Sequence, residues 1–114
     1  MKIYLDNCSL QRPLDDKSQI RIALEAEAVL SILALCDSGA AEFVSSEALV
    51  FEIRKNPDES RREYATDVLA KAKIFIRVNE EIEARAKKFG EIGIKPLDAL
   101  HLASAEHAQA DYLC

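Results

Sequence analysis

The sequence predicts an α/β fold with a parallel sheet covered on both faces. Three observations carry this expectation. Short apolar runs recur along the chain at Lys2–Leu5, Glu42–Ser45, Ile74–Val78 and from Asp111. The segments between them hold apolar residues at helical spacing, and capping or breaking residues mark their ends. Strands that alternate with helices favour parallel pairing, because a parallel connection needs a crossover long enough to hold a helix.

Taken in order, Lys2–Leu5 is a mostly apolar strand ending in Asp6 and Asn7. A polar loop with Arg12-Pro13 and Asp15-Asp16 follows. A helix then runs over about residues 19–37, with Ile22, Ala26, Val29, Leu30 and Leu33 inward. Leu24, Ala28 and Leu35 give it a second apolar stripe, which predicts burial on two sides by another helix or a partner chain. Gly39 stops this helix, since glycine takes the positive φ that a helix C-terminus often needs.

After the second strand, Ser46 is an N-cap for a helix carrying Ala48, Leu49, Glu52 and Ile53. Asn56-Pro57-Asp58 breaks it, and another helix follows with Tyr64, Ala65, Val68, Leu69 and Ala72 on one face. Ile74–Val78 is the third strand, and Asn79 caps a helix with Ile82, Ala86 and Phe89 aligned. Pro96 opens the last helix, as suits a residue with fixed φ and no N–H. The segment from Asp111 to Cys114 reads as the start of a fourth strand, with no turn or cap after it, so the domain reads as C-terminally incomplete.

The 114 residues fit one domain, 1–114, with no internal repeat or linker. No apolar run approaches the roughly 20 residues that span a bilayer, and an acid at Asp6 comes too early for a signal peptide. Cys8, Cys36 and Cys114 are odd in number and far apart, which predicts reduced thiols and a cytoplasmic location. His101 and His107 are six residues apart and share no helix face, so a histidine metal site is not expected. The net charge of −5 argues against a simple nucleic-acid coat. Residues 54–95 nevertheless hold eleven basic and eight acidic residues, leaving the acidic excess at the two ends. This pattern fits a phosphate-contacting segment beside an acidic pocket, and it equally fits ordinary solvated helix faces.

Three carboxylates stand among apolar neighbours: Asp6 at a strand end, Glu52 nearly two turns into its helix, and Asp98 in the first turn of Pro96–Ala105. In an open α/β sheet, ligands collect beyond the carboxyl ends of strands. A cluster of carboxylates repels itself unless one holds a proton or a cation intervenes, and oxygen-only donors suit a hard ion such as Mg²⁺ or Mn²⁺. Each acid also has a plainer reading. Asp6 begins a turn with Asn7, Glu52 lies on a solvated flank with Lys55, and Asp98 complements the helix dipole. Acids beside apolar residues also occur at Glu25, Glu27 and Glu42.

The order Leu5-Asp6-Asn7, then Ser46 and Leu49 leading to Glu52-Ile53, then Pro96-Leu97-Asp98-Ala99-Leu100-His101-Leu102-Ala103-Ser104-Ala105 resembles the PIN domain family. Within it, the pattern is most similar to the small VapC-type toxins of prokaryotic toxin–antitoxin pairs. The resemblance implies a three-layer α/β/α sandwich with a central parallel sheet and a metal-dependent endoribonuclease. It assigns the family's acidic positions to Asp6, Glu52 and Asp98 as the catalytic, Mg²⁺- or Mn²⁺-holding residues. It further implies an RNA substrate, an antitoxin partner and a homodimer, with Arg54, Lys55, Arg61 and Arg62 as candidates to meet RNA phosphates or an acidic antitoxin segment. Two departures stand out. Cys8 lies where many members carry Asn or Ser, and Asp111 precedes the last strand, whereas the family often has an acid beyond it. A non-catalytic PIN-like module binding RNA or protein is the alternative. A phosphoacceptor domain fits poorly, because Asp15-Asp16 lies well past the first strand.

Overall fold

The computed structural model describes residues 1–114. Four strands, β1 (Lys2–Tyr4), β2 (Glu42–Ser46), β3 (Ile74–Ile76) and β4 (Tyr112–Leu113), form one sheet in the order β3-β2-β1-β4. Every neighbouring pair is parallel. Six helices connect them: α1 (Asn7–Gln11), α2 (Ile20–Asp37), α3 (Glu47–Arg54), α4 (Glu59–Leu69), α5 (Glu80–Glu91) and α6 (Pro96–His107). A single 3-10 turn at Arg12–Leu14 follows α1.

Alternation along the strands divides the core. Ile3 and Phe43 pack on one side with Leu10 of α1, Val29 of α2, Ile53 of α3, and Ala65 and Val68 of α4. Tyr4 and Val44 face the other way, against Leu49 of α3 and the α6 side, through Ala105 and Ala108. Both faces of the sheet are therefore covered, which is why its strands read as nearly continuous apolar runs.

The helix starts follow local chemistry. Asp6, Ser46, Asp58 and Asn79 each accept an N–H from the first turn of the following helix. Ser46 and Asn79 are the caps that the sequence predicts. Gly39 and Gly93 take positive φ after α2 and after α5, where the chain must reverse.

Several expectations change. The segment after β1, expected as a polar loop, folds into α1 and the 3-10 turn, started by the Asp6 cap. Leu30 is 49% exposed rather than inward, and the buried side of α2 instead runs through Ala26 and Val29 toward Ile32, Leu33 and Cys36. Leu30 follows Val29 directly, and one helical step of about 100° carries it off that face. The third strand is also shorter than predicted, ending at Ile76 where pairing with Ser46 stops. The second apolar stripe of α2, Leu24, Ala28 and Leu35, is exposed within the chain rather than buried, and Ile20 one turn before it is exposed as well.

Burial raises the pKa of Tyr64 on α4. The folded state then holds this proton at pH values where the unfolded chain has released it. Tyr64 consequently contributes stability below its ordinary value of 10.0, and that contribution is lost as pH rises above it. In urea titrations the wild type is expected to lose more stability between about pH 8 and pH 11 than Tyr64→Phe does. An equal loss in both proteins would refute the assignment.

Candidate functional site

The strand order reverses direction beside β1, with β2 and β3 on one flank and β4 on the other. Loops leaving adjacent strands diverge at such a point and open a crevice at their carboxyl ends. A cavity of about 260 Å³ lies there, lined by Asp6, Asp98, His101, Leu102 and Leu113.

Asp6 is held firmly. Its Oδ1 accepts the Ser9 N–H at 2.8 Å, capping α1, and its own N–H donates to the Cys114 carbonyl at 2.7 Å. Asp98 lies in the first turn of α6, where the positive end of the helix favours a carboxylate. It is exposed, so the burial suggested by its apolar sequence neighbours does not occur. Those neighbours point elsewhere, with Ala99 buried next to it. Glu52, on α3, has a side chain 28% exposed and bonded to His101 Nε2 at 3.0 Å.

Two polar residues of α6 are buried, Ser104 at 0% and His101 at 4% exposure, and His101 is the one hydrogen-bonded through its side chain. Its Nδ1 lies 2.6 Å from the Tyr4 hydroxyl, which lies 2.6 Å from Ser46 Oγ. Ser46 Oγ in turn accepts the Leu49 N–H at the start of α3. A continuous hydrogen-bonded line thus runs from β1 and β2 through α6 to the Glu52 carboxylate. In the sequence, His101 stands out only beside His107, six residues on and off its helix face. The available signal was its spacing to Ser104, Ala105 and Ala108, which together form one inward helix face.

Electrostatics tie Asp6 and Glu52 to the same region. Burial is the main reason the Tyr4 hydroxyl is held protonated far above its ordinary pKa; the Ser46 hydrogen bond opposes this, and Glu52 and Asp6 add to it. The Cys8 thiol is also pushed up, first by burial, then by Asp6 and Glu52.

No group of three His, Cys, Asp or Glu side chains is arranged to hold an ion by itself. What the cavity offers is two carboxylates, Asp6 and Asp98, with Glu52 joined to its His101 wall. Carboxylate oxygens are the donor type that hard divalent ions take. Mg²⁺ keeps several of its waters and commonly takes only one or two protein carboxylates.

The basic residues divide. Arg61 is turned inward to Gln11, the Leu14 carbonyl and Asp15, and Arg62 donates to the Asn56 carbonyl. Arg54, the last residue of α3, and Lys55, just after it, remain exposed. No helix is long and apolar enough to cross a membrane.

Fold and site together define an α/β protein with an acidic cavity at the carboxyl edge of a four-stranded parallel sheet. The chain is similar in structure to the crystal structure of FitAcB from Neisseria gonorrhoeae, with a TM-score of 0.57 and 13% sequence identity. The match covers 96% of this chain and 84% of that one, and at this identity it shows the fold alone. No family model matches the sequence, and no curated protein matches it either.

Proposed function

We propose that this chain is a PIN-like, metal-dependent endoribonuclease with three-layer α/β/α architecture, acting as the toxin of a toxin–antitoxin pair. The observation that carries the reading is the shared cavity of Asp6 and Asp98 at the switch point of the sheet. The motif order of the sequence and the likeness to FitAcB support it.

Asp6 and Asp98 would hold Mg²⁺ or Mn²⁺, with Glu52 acting through a water molecule. When bound, such an ion supplies a water of lowered pKa and stabilises charge developing on phosphate oxygens. The chain's own contribution is to fix the carboxylates: Asp6 by its cap and its bond to Cys114, Glu52 by His101. Arg54 and Lys55 would meet the RNA backbone, where contacts position without reading sequence. The open stripe of Ile20, Leu24 and Leu35 on α2 is the surface on which a second copy or an antitoxin would bury apolar area.

The test is Mn²⁺-dependent cleavage of a fluorogenic RNA. Wild-type protein is expected to cleave, and Asp6→Asn to lose cleavage while keeping its thermal transition, because Asn caps a helix about as well as Asp. Undiminished cleavage by Asp6→Asn would sink the assignment. The absence of a ready three-donor cluster favours one rival, a binding module without catalysis. Calorimetric titration with Mn²⁺ separates the two, since that module shows no binding at millimolar ion.

A further inference from the structure

We propose that His101 is a positioning residue for Glu52, locked in one tautomer by Tyr4 and Ser46. The proposal rests on the ribonuclease reading above and adds to it a group that the three carboxylates do not include.

The proton positions follow from the partners. An ionised Glu52 carboxylate only accepts, so His101 Nε2 must carry the hydrogen and donate at 3.0 Å. Nδ1 of a neutral ring then accepts, and the Tyr4 hydroxyl donates to it at 2.6 Å. The Tyr4 oxygen accepts in turn from the Ser46 hydroxyl at 2.6 Å, while Ser46 Oγ receives the Leu49 N–H. Each hydroxyl in the line has one hydrogen, and each is used.

Burial gives this order its consequence. Tyr4 and Ser46 are both 0% exposed and His101 is 4% exposed, so water does not substitute for a missing partner. Moving the ring hydrogen to Nδ1 would set an unprotonated Nε2 against the Glu52 carboxylate, two acceptors face to face. Tyr4, donating to Nδ1, thus leaves the ring hydrogen on the nitrogen that faces Glu52, and Nε2–H fixes one carboxylate oxygen. The other oxygen of Glu52 makes no hydrogen bond within the chain. This is the arrangement by which outer partners orient a carboxylate near an ion.

Two substitutions separate orientation from packing. The Gln amide nitrogen reaches the position of Nε2, whereas the Asn amide reaches only that of Nδ1. His101→Gln is expected to keep Mn²⁺ affinity by calorimetry within about threefold of wild type, and His101→Asn to weaken it about 10- to 100-fold. His101→Asn should lower kcat while leaving the KM for RNA unchanged, because no RNA contact is lost.

A second readout needs neither metal nor activity. Long-range ¹H–¹⁵N spectra of the metal-free wild type should show His101 as the Nε2–H tautomer. Wild-type Mn²⁺ affinity in His101→Asn, equal losses in both variants, or an Nδ1–H ring in the spectrum would each overturn the proposal while leaving the ribonuclease reading in place. A wild type that binds no Mn²⁺ and cleaves no RNA would instead remove that reading, and with it any role of His101 toward an ion.

Discussion

Asp98→Asn is expected to lower Mn²⁺-dependent RNA cleavage by more than about 100-fold while leaving the protein folded. Groups that merely orient a metal's ligands are typically worth about 10- to 100-fold. Loss of a carboxylate that itself faces the cavity should exceed the upper end of that range. Stability should barely respond. Asp98 is exposed, Asn is nearly isosteric, and the forfeited helix-dipole interaction is worth about 0.3–1 kcal/mol. Single-turnover cleavage at saturating Mn²⁺, set beside a urea titration, measures both quantities. A large fall in stability with intact cleavage would return Asp98 to the plain role of a first-turn dipole partner.

Phe43→Ala should cost about 3–5 kcal/mol of folding stability, the usual range for removing a buried phenyl ring. Phe43 is 1% exposed, and its ring belongs to the cluster formed by α1, α2, α3 and α4 against the sheet. Its strand is interior, paired with β1 on one side and β3 on the other, so the backbone has little freedom to collapse into the space left behind. A domain of this size is commonly stable by only about 5–15 kcal/mol, so the loss takes a large share of the total. The midpoint of chemical unfolding gives the answer. A change below about 1 kcal/mol would show that the cluster repacks readily.

The parts of the fold set by near neighbours were legible in the sequence. Ser46 and Asn79 announce their helices, because a cap depends on residues two or three positions away. Helical faces were legible except where two apolar residues stand side by side. Val29 and Leu30 look alike in sequence, yet only Val29 is buried. Strand order was not legible, since β1 pairs with partners about 40 and 110 residues away and pairing leaves no local mark.

The site divides along the same line. Asp6 and Asp98 carry motif signals, and the structure places them in one cavity. The link between Glu52 and His101 spans 49 residues, and no local spacing encodes it. Apolar neighbours in sequence suggested that Asp98 is buried. Direction around the helix decides the matter instead, and it exposes Asp98 while burying His101 three residues on.

The pairing of β1 with β4 bears on when the cavity forms. The amide of Lys2 donates to the Asp111 carboxylate across 109 residues, and the Asp6 amide waits on the carbonyl of Cys114. Closing so long a loop costs entropy before any contact rewards it, which slows folding. At about 5–20 residues per second, a ribosome needs about 5 to 20 seconds to travel from Asp6 to Cys114. Throughout that interval the nascent chain carries the first carboxylate without the strand that anchors it. The acidic cavity is therefore completed only after nearly all of these residues have been synthesised.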